Sequence, residues 1–197
     1  MTHPLGDLAT IYAGLATTRH LSDHAPELAI ISVADLDGYG GVSPSDALER
    51  LRLEPGPSLQ GYRAQVGDVL LTGRGTLLKA ALVGPETAGA VVSGNLIGIR
   101  VDPARMLPGA LIAWLCTSGG QAALTARVQA TSGLIALTTA LVRALPVPVP
   151  SLEVQSRAAA LFEATRVSYT LAVRAADARR KLGLAAVAPL FRVGVAP

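Results

Sequence analysis

Gly67-Asp68-Val69-Leu70-Leu71-Thr72-Gly73-Arg74-Gly75-Thr76 is the stretch whose reading decides the fold. Gly67-Asp68 is a turn pair, and Val69 to Thr72 is a short apolar, β-rich run. Gly73-Arg74-Gly75-Thr76 is a tight loop that lifts one arginine between two glycines. The pattern repeats outward from there. Residues 78–83 form a second apolar run closed by Gly84-Pro85, and residues 90–93 and 96–101 give further strands. Upstream, residues 27–33 read as a strand, and residues 35–57 as mostly loop with a short helix begun by Ser45-Asp46. Short strands about ten residues apart, punctuated by Gly and Pro, predict a curled, mainly antiparallel sheet or a small barrel.

From Pro108 the period changes. Residues 109–117 and 120–129 are helical in pattern, and Thr131-Ser132-Gly133 breaks the second run. Leu145-Pro146-Val147-Pro148-Val149-Pro150 is extended, because each proline pushes its predecessor out of the α region. Ser151 then starts a helix, with Glu153 in its first turn and no Gly or Pro before Gly183. Such a helix covers about 32 residues and roughly 48 Å. Phe162, Tyr169 and Ala176 recur every seven residues beside Ala158, Thr165, Ala172 and Arg179. This stripe of small residues suits packing against another long helix. The fold class is therefore α+β: a sheet-rich domain over residues 1–150, then a coiled-coil-type helix and tail over 151–197.

The chain has 197 residues, half of them hydrophobic and 16% charged, so it is a globular sequence. Its net charge of +3 is unevenly placed. Residues 1–54 carry eight acids and three bases, while residues 55–150 and 151–197 each carry three acids and seven bases. The single cysteine, Cys116, excludes an internal disulfide and lies in an apolar run, as a buried, inert thiol would. The N-terminus carries no secretory pattern, and no apolar run is long enough to span a membrane, so a cytoplasmic location is expected.

Catalytic patterns are missing. The loop after Arg74 runs on as Leu77-Leu78-Lys79, which fails the Walker pattern, and Leu78 stands where a dinucleotide fingerprint needs its third glycine. His20, Asp23 and His24 could share a helical turn as metal ligands, but no Glu follows His20, and a loose surface cluster is the better reading. No Gly-x-Ser-x-Gly elbow occurs. The expectation is a binding module with no catalytic residue, cofactor or metal.

Several segments in order resemble the specificity (S) subunit of type I restriction–modification systems, at half its length. They are Leu5-Gly6-Asp7 with the turn at Gly14, the Gly67 to Thr76 stretch, Asn95 before the strand at 96–101, and Pro108-Gly109-Ala110-Leu111. The last is Pro150-Ser151-Leu152-Glu153-Val154-Gln155, which is similar to the family's Pro-Pro-Leu-x-Glu-Gln, with Ser151 and Val154 as departures. The resemblance implies a DNA target recognition domain followed by one spacer helix. A full-length S subunit is similar to two such units in tandem. It also implies double-stranded DNA, adenine methyltransferase subunits and, in a full complex, an ATP-dependent restriction subunit as partners. A homodimer with antiparallel helices would read a split palindromic target.

On that reading Arg74 is the candidate base reader, because a guanidinium pairs with a guanine edge. Thr72, Thr76 and Asn95 are candidates for bases or phosphates, and Arg63 and Lys79 for phosphates. Arg127, Thr131 and Ser132 form a second polar group. The interface candidates on the helix are Ala158, Phe162, Thr165, Tyr169, Ala172 and Ala176. The alternative for Arg74 is an internal salt bridge to Asp68. The alternative for the chain is a truncated or decoy S-like module that binds methyltransferase and no DNA. Residues 1–150 carry ten bases and eleven acids, so the chain alone is expected to bind DNA weakly.

Overall fold

A computed structural model describes residues 1–54, 57–131 and 133–191. The chain divides into two compact units, Met1–Ala160 and Leu161–Pro197.

The first unit is built on a four-stranded antiparallel sheet ordered β2-β9-β5-β7, from Ala9–Ala13 (β2), Leu96–Val101 (β9), Val69–Thr72 (β5) and Ala80–Leu82 (β7). All four residues of β5 are buried, so this strand is covered on both faces. Helix α1 (Pro108–Leu115) packs against β5 and β7. Leu70, Ala81 and Leu96 join a core with Ile31, Leu36, Leu48, Val83 and Val92. Several of these residues come from or adjoin a second sheet, ordered β4-β3-β8, made of Glu27–Ile31 (β3), Glu49–Arg52 (β4) and Val91–Val92 (β8). β3 pairs antiparallel with β4 and parallel with β8, with Ile30 opposite Val91. The two sheets meet tightly at Gly14, where a Cβ would lie 1.9 Å from the Ser93 carbonyl oxygen. No side chain fits there.

A third sheet, β10-β11-β6, joins Gln129–Thr131 (β10) and Leu134–Ala136 (β11) to Arg74–Gly75 (β6). The fourth pairs Thr2–Pro4 (β1) with Pro146–Pro148 (β12). The sequence reading of a mainly antiparallel sheet with helices therefore holds. Its barrel variant does not, because the described strands fall into four separate sheets and form no closed ring. The prolines of β12 sit in a two-stranded sheet, where a missing N–H breaks no central ladder. Helix α2 (Ser118–Thr125) is capped by the Thr117 hydroxyl, which accepts from Gly120 N, and helix α3 (Thr139–Arg143) precedes β12.

Helix α4 spans Leu152–Val187. Ser151 is its cap, accepting from Val154 N at 3.4 Å. The expected stop at Gly183 is overridden. The helix runs four residues past it, since one glycine costs only about 1 kcal/mol in a helix interior. Within the first unit, Gln155 anchors the helix start. Its side chain is 1% exposed, and every polar atom is used. Oε1 accepts from Leu107 N at 2.8 Å, while Nε2 donates to Arg105 O at 3.1 Å and Pro150 O at 2.9 Å. Nearby, a Cβ on Gly109 would lie 2.8 Å from the Ala159 Cβ, so α1 and the start of α4 touch backbone to side chain.

In the second unit Glu163 forms a bidentate pair with Arg166, which lowers the Glu163 pKa. Asp177 pairs with Arg180 at the same spacing. Leu161, Leu171, Leu182 and Leu184 are exposed. Among the described residues no helix is long and apolar enough to cross a membrane. Cys116 is half-buried, and burial, then the Asp37 charge, pushes its thiol up to about 11. It is protonated at neutral pH and a poor nucleophile, in line with the sequence reading.

Gln155→Ala strands one backbone N–H and two carbonyls in a buried site. Each stranded group costs about 1–3 kcal/mol before water relieves it. Urea denaturation should show a loss of at least about 2 kcal/mol, and an unchanged midpoint would contradict the anchor role.

Candidate nucleic-acid interface

The turn before β5 is held by one carboxylate. Asp68 is 1% exposed and accepts four hydrogen bonds. Arg100 on β9 donates from Nε at 2.8 Å to Oδ1 and from a terminal nitrogen at 2.7 Å to Oδ2. Tyr12 on β2 donates its hydroxyl at 2.8 Å, and Gln65 N donates at 2.9 Å. The Arg100 guanidinium also lies 5.5 Å from the Tyr12 ring centroid, within cation–π range. Tyr12 pairs with Gly98 across the sheet, and a Cβ on Gly98 would collide with the ring at 2.0 Å. Glycine is required there so that the ring can lie over the strand. Burial first, then the Asp68 charge, raises the Tyr12 pKa, so the phenol stays neutral and a donor. The hydrogen bond to Asp68 raises that of Arg100, which stays charged.

With Asp68 spoken for, the alternative reading of Arg74 as its ion-pair partner fails. Arg74 is exposed at the far end of β5, and among the described residues no side chain pairs with it. Its backbone is fixed instead. Gly73 N and Arg74 N both donate to the Asn95 carbonyl, at 2.8 and 3.0 Å, and Gly73 O accepts from Leu137 N. β6 then pairs with β11, placing Arg74 opposite Ala136 and Gly75 opposite Ile135. What reads as a loop in sequence is therefore a two-residue strand.

The sequence candidates divide. Arg74, Thr76 and Asn95 are exposed and gather around this loop. Thr72 does not join them. It is fully buried, and its hydroxyl accepts from Lys79 N at 3.1 Å. Lys79 is engaged as well: its ammonium donates to the Leu36 and Val33 carbonyls, at 2.6 and 3.3 Å, and ties the β5–β7 connection to that segment. Arg63 donates to Gly89 O at 2.6 Å, and Arg127 donates to Ala123 O and Ala144 O, tying α2 to the end of α3. Both arginines hold backbone, which leaves less of their donor capacity for phosphate. Thr131 belongs to β10, beside the Arg74 strand through β11, and Ser132 lies outside the described residues. The His20, Asp23 and His24 cluster is not on a helical turn. A 3₁₀ turn, Thr17–Arg19, ends before it, and no group of metal-binding side chains gathers among the described residues.

Two features escaped sequence reasoning. Arg100 and Tyr12 as partners of Asp68 are separated from it by 32 and 56 positions, and only the Tyr12 opposite Gly98 pairing could have hinted at the sheet register. The β10–β11 hairpin has strands of only three residues and lacks strong alternation, so its pairing with Arg74 carries no sequence signal. Asp68→Asn replaces an acceptor of four donors with a group that donates on one side. A loss of about 1–3 kcal/mol is expected in thermal or urea unfolding, with no change if the network is ornamental.

No protein-family model matches the chain, and no curated protein sequence does. Solved structures do. The HsdS subunit from Thermoanaerobacter tengcongensis matches with a TM-score of 0.64 and 24% identity, over 100% of this chain and 50% of that one. A structure reported for complex assembly and conformational transition of the type I R-M system matches at 0.64 and 21%, with the same coverage. The type I restriction-modification S subunit from M. genitalium matches at 0.62 and 10%, over 99% of this chain and 46% of that one. The chain spans about half the length of each of these structures. Its architecture, from the Asp68-held sheet through the Gln155 anchor to α4, is the fold of one half of a type I restriction–modification specificity subunit.

Proposed function

We propose that the chain is a non-catalytic DNA-recognition subunit of a type I restriction–modification adenine methyltransferase complex. The observation that carries this reading is the exposed Arg74, unpaired among the described residues and held by backbone bonds to Asn95 and β11 just beyond the end of β5. A rigid strand end that presents a guanidinium is suited to a guanine edge in the major groove. Thr76 and Asn95 stand beside it for further base or phosphate contacts. Arg127, Thr131 and Ser132 remain candidates for further DNA contacts, and Arg63, whose carbonyl accepts from Arg100 at the Asp68 end of β5, for a phosphate contact away from Arg74.

Reading a split target takes two recognition domains. A second copy of this chain supplies the other, its α4 antiparallel to the first, along the Ala158, Phe162, Thr165, Tyr169, Ala172 and Ala176 stripe. Tyr169, 42% exposed in the middle of that stripe, supports such a helical partner. Two-fold symmetry then gives a palindromic split site, and methyltransferase subunits provide the chemistry and much of the grip. An ATP-dependent restriction subunit would complete a full complex.

Arg74→Ala is expected to change or abolish the methylated sequence while leaving assembly intact. Long-read mapping of methylated adenines, in source cells lacking the gene and complemented with wild type or variant, reads this out. Unchanged methylation at every site would show that Arg74 is not a base reader. Deletion that removes no methylated motif would favour the decoy reading, which the acidic first third of the sequence mildly supports. Sedimentation equilibrium of the full chain should give twice the monomer mass. Tyr169→Glu should shift it toward the monomer, because a carboxylate on the stripe cannot be buried unpaired. A wild-type monomer at tens of micromolar would remove the homodimer.

A further inference from the structure

The face of the sheet β10-β11-β6 that carries Arg74 also holds Gln129 and Leu134, which the proposed function has not yet used. Its cross-strand register places Arg74 opposite Ala136 and Ala136 opposite Gln129. Directly opposed residues project to the same face. Arg74, Ala136 and Gln129 therefore form one row across three strands, and Leu134, two positions along β11, stands on the same face. Arg74, Gln129 and Leu134 are all exposed, Leu134 at 51%. Among the described residues neither the Arg74 nor the Gln129 side chain has a hydrogen-bonding partner. Alanine in the middle leaves the face unobstructed. The outer strands are about 10 Å apart, which fits a major groove roughly 12 Å wide.

The strands of this sheet, Arg74–Gly75, Gln129–Thr131 and Leu134–Ala136, contain one base, Arg74, and no acid, so no carboxylate on the sheet itself repels a polyanion. The side chains are also the right kinds. A guanidinium pairs with guanine O6 and N7, an amide pairs with adenine N6 and N7, and an aliphatic group meets the thymine methyl.

We infer that Gln129 is a second base-reading residue, specific for adenine, set in a row with Arg74 and backed by Leu134 against a thymine methyl. The inference rests on the proposed function and sharpens it. Each half-site should hold a guanine and an A·T pair within a few base steps of each other, read by one β-sheet face in the major groove.

The test uses the gene-deletion cells complemented with full-length wild type, Gln129→Leu, Gln129→Arg and Arg74→Ala, and compares the methylated-adenine motifs. Gln129→Leu should leave a motif of the same length in which one A·T position per half-site loses roughly 10- to 100-fold of its preference. Gln129→Arg should move that position toward G·C. Both variants should keep the wild-type melting temperature, since Gln129 is exposed on a strand. An unchanged motif in both variants overturns the inference, and so does complete loss of methylation in both with an unchanged melting temperature. If Arg74→Ala alters the motif and neither Gln129 variant does, only the Gln129 assignment fails. If deletion of the gene removes no motif, the DNA-reading function fails with it.

Discussion

A buried carboxylate with four donors holds the sheet-rich unit in register. Asp68 joins β2, through Tyr12, to β9, through Arg100, and closes its own turn through Gln65 N. A buried carboxylate is tolerated only when paired and fully hydrogen-bonded, and here both oxygens are occupied. β5 begins at the next residue and is buried on both faces, so it transmits that fixed position along its length. At its far end the Asn95 carbonyl captures Gly73 and Arg74. The exposed arginine is thus placed by a rigid strand whose other end is locked by charge.

Gln155 plays the matching part at the helix. A neutral amide suits this site better than a charge, because it must accept from one N–H and donate to two carbonyls at once. Glu could not donate, and Lys could not accept. The two anchors differ in what they satisfy: Gln155 binds three backbone groups, while Asp68 binds one backbone N–H and two side chains, Arg100 and Tyr12.

Much of this was legible in the sequence. Val69–Thr72 and Leu96–Val101 follow directly from their apolar runs, and Ser151 and the Pro-rich approach announce α4. The linear order of motifs pointed to the specificity-subunit fold although no family model matches. What was not legible is pairing. Arg74 reads as a loop because two residues cannot show strand periodicity, and β10 and β11, of three residues each, carry no strand reading: Gln129 closes a run read as helical and Thr131 opens the break after it. Thr72 and Lys79 look like DNA contacts only until the β5–β7 connection claims them. Polar residues near a recognition loop have backbone to satisfy before they can face a ligand, and nothing in one sequence says which of them are already engaged.

The central claim is that the Arg74 tip meets the edge of a guanine. Guanine-N7 methylation interference tests it most directly. The probe is the duplex carrying the motif lost on gene deletion, and the protein is the chain assembled with the methyltransferase subunits proposed as its partners. Premethylation of one guanine in each half-site should block binding of the wild type and make no difference to Arg74→Ala. Equal sensitivity of the two proteins at every guanine would contradict the account.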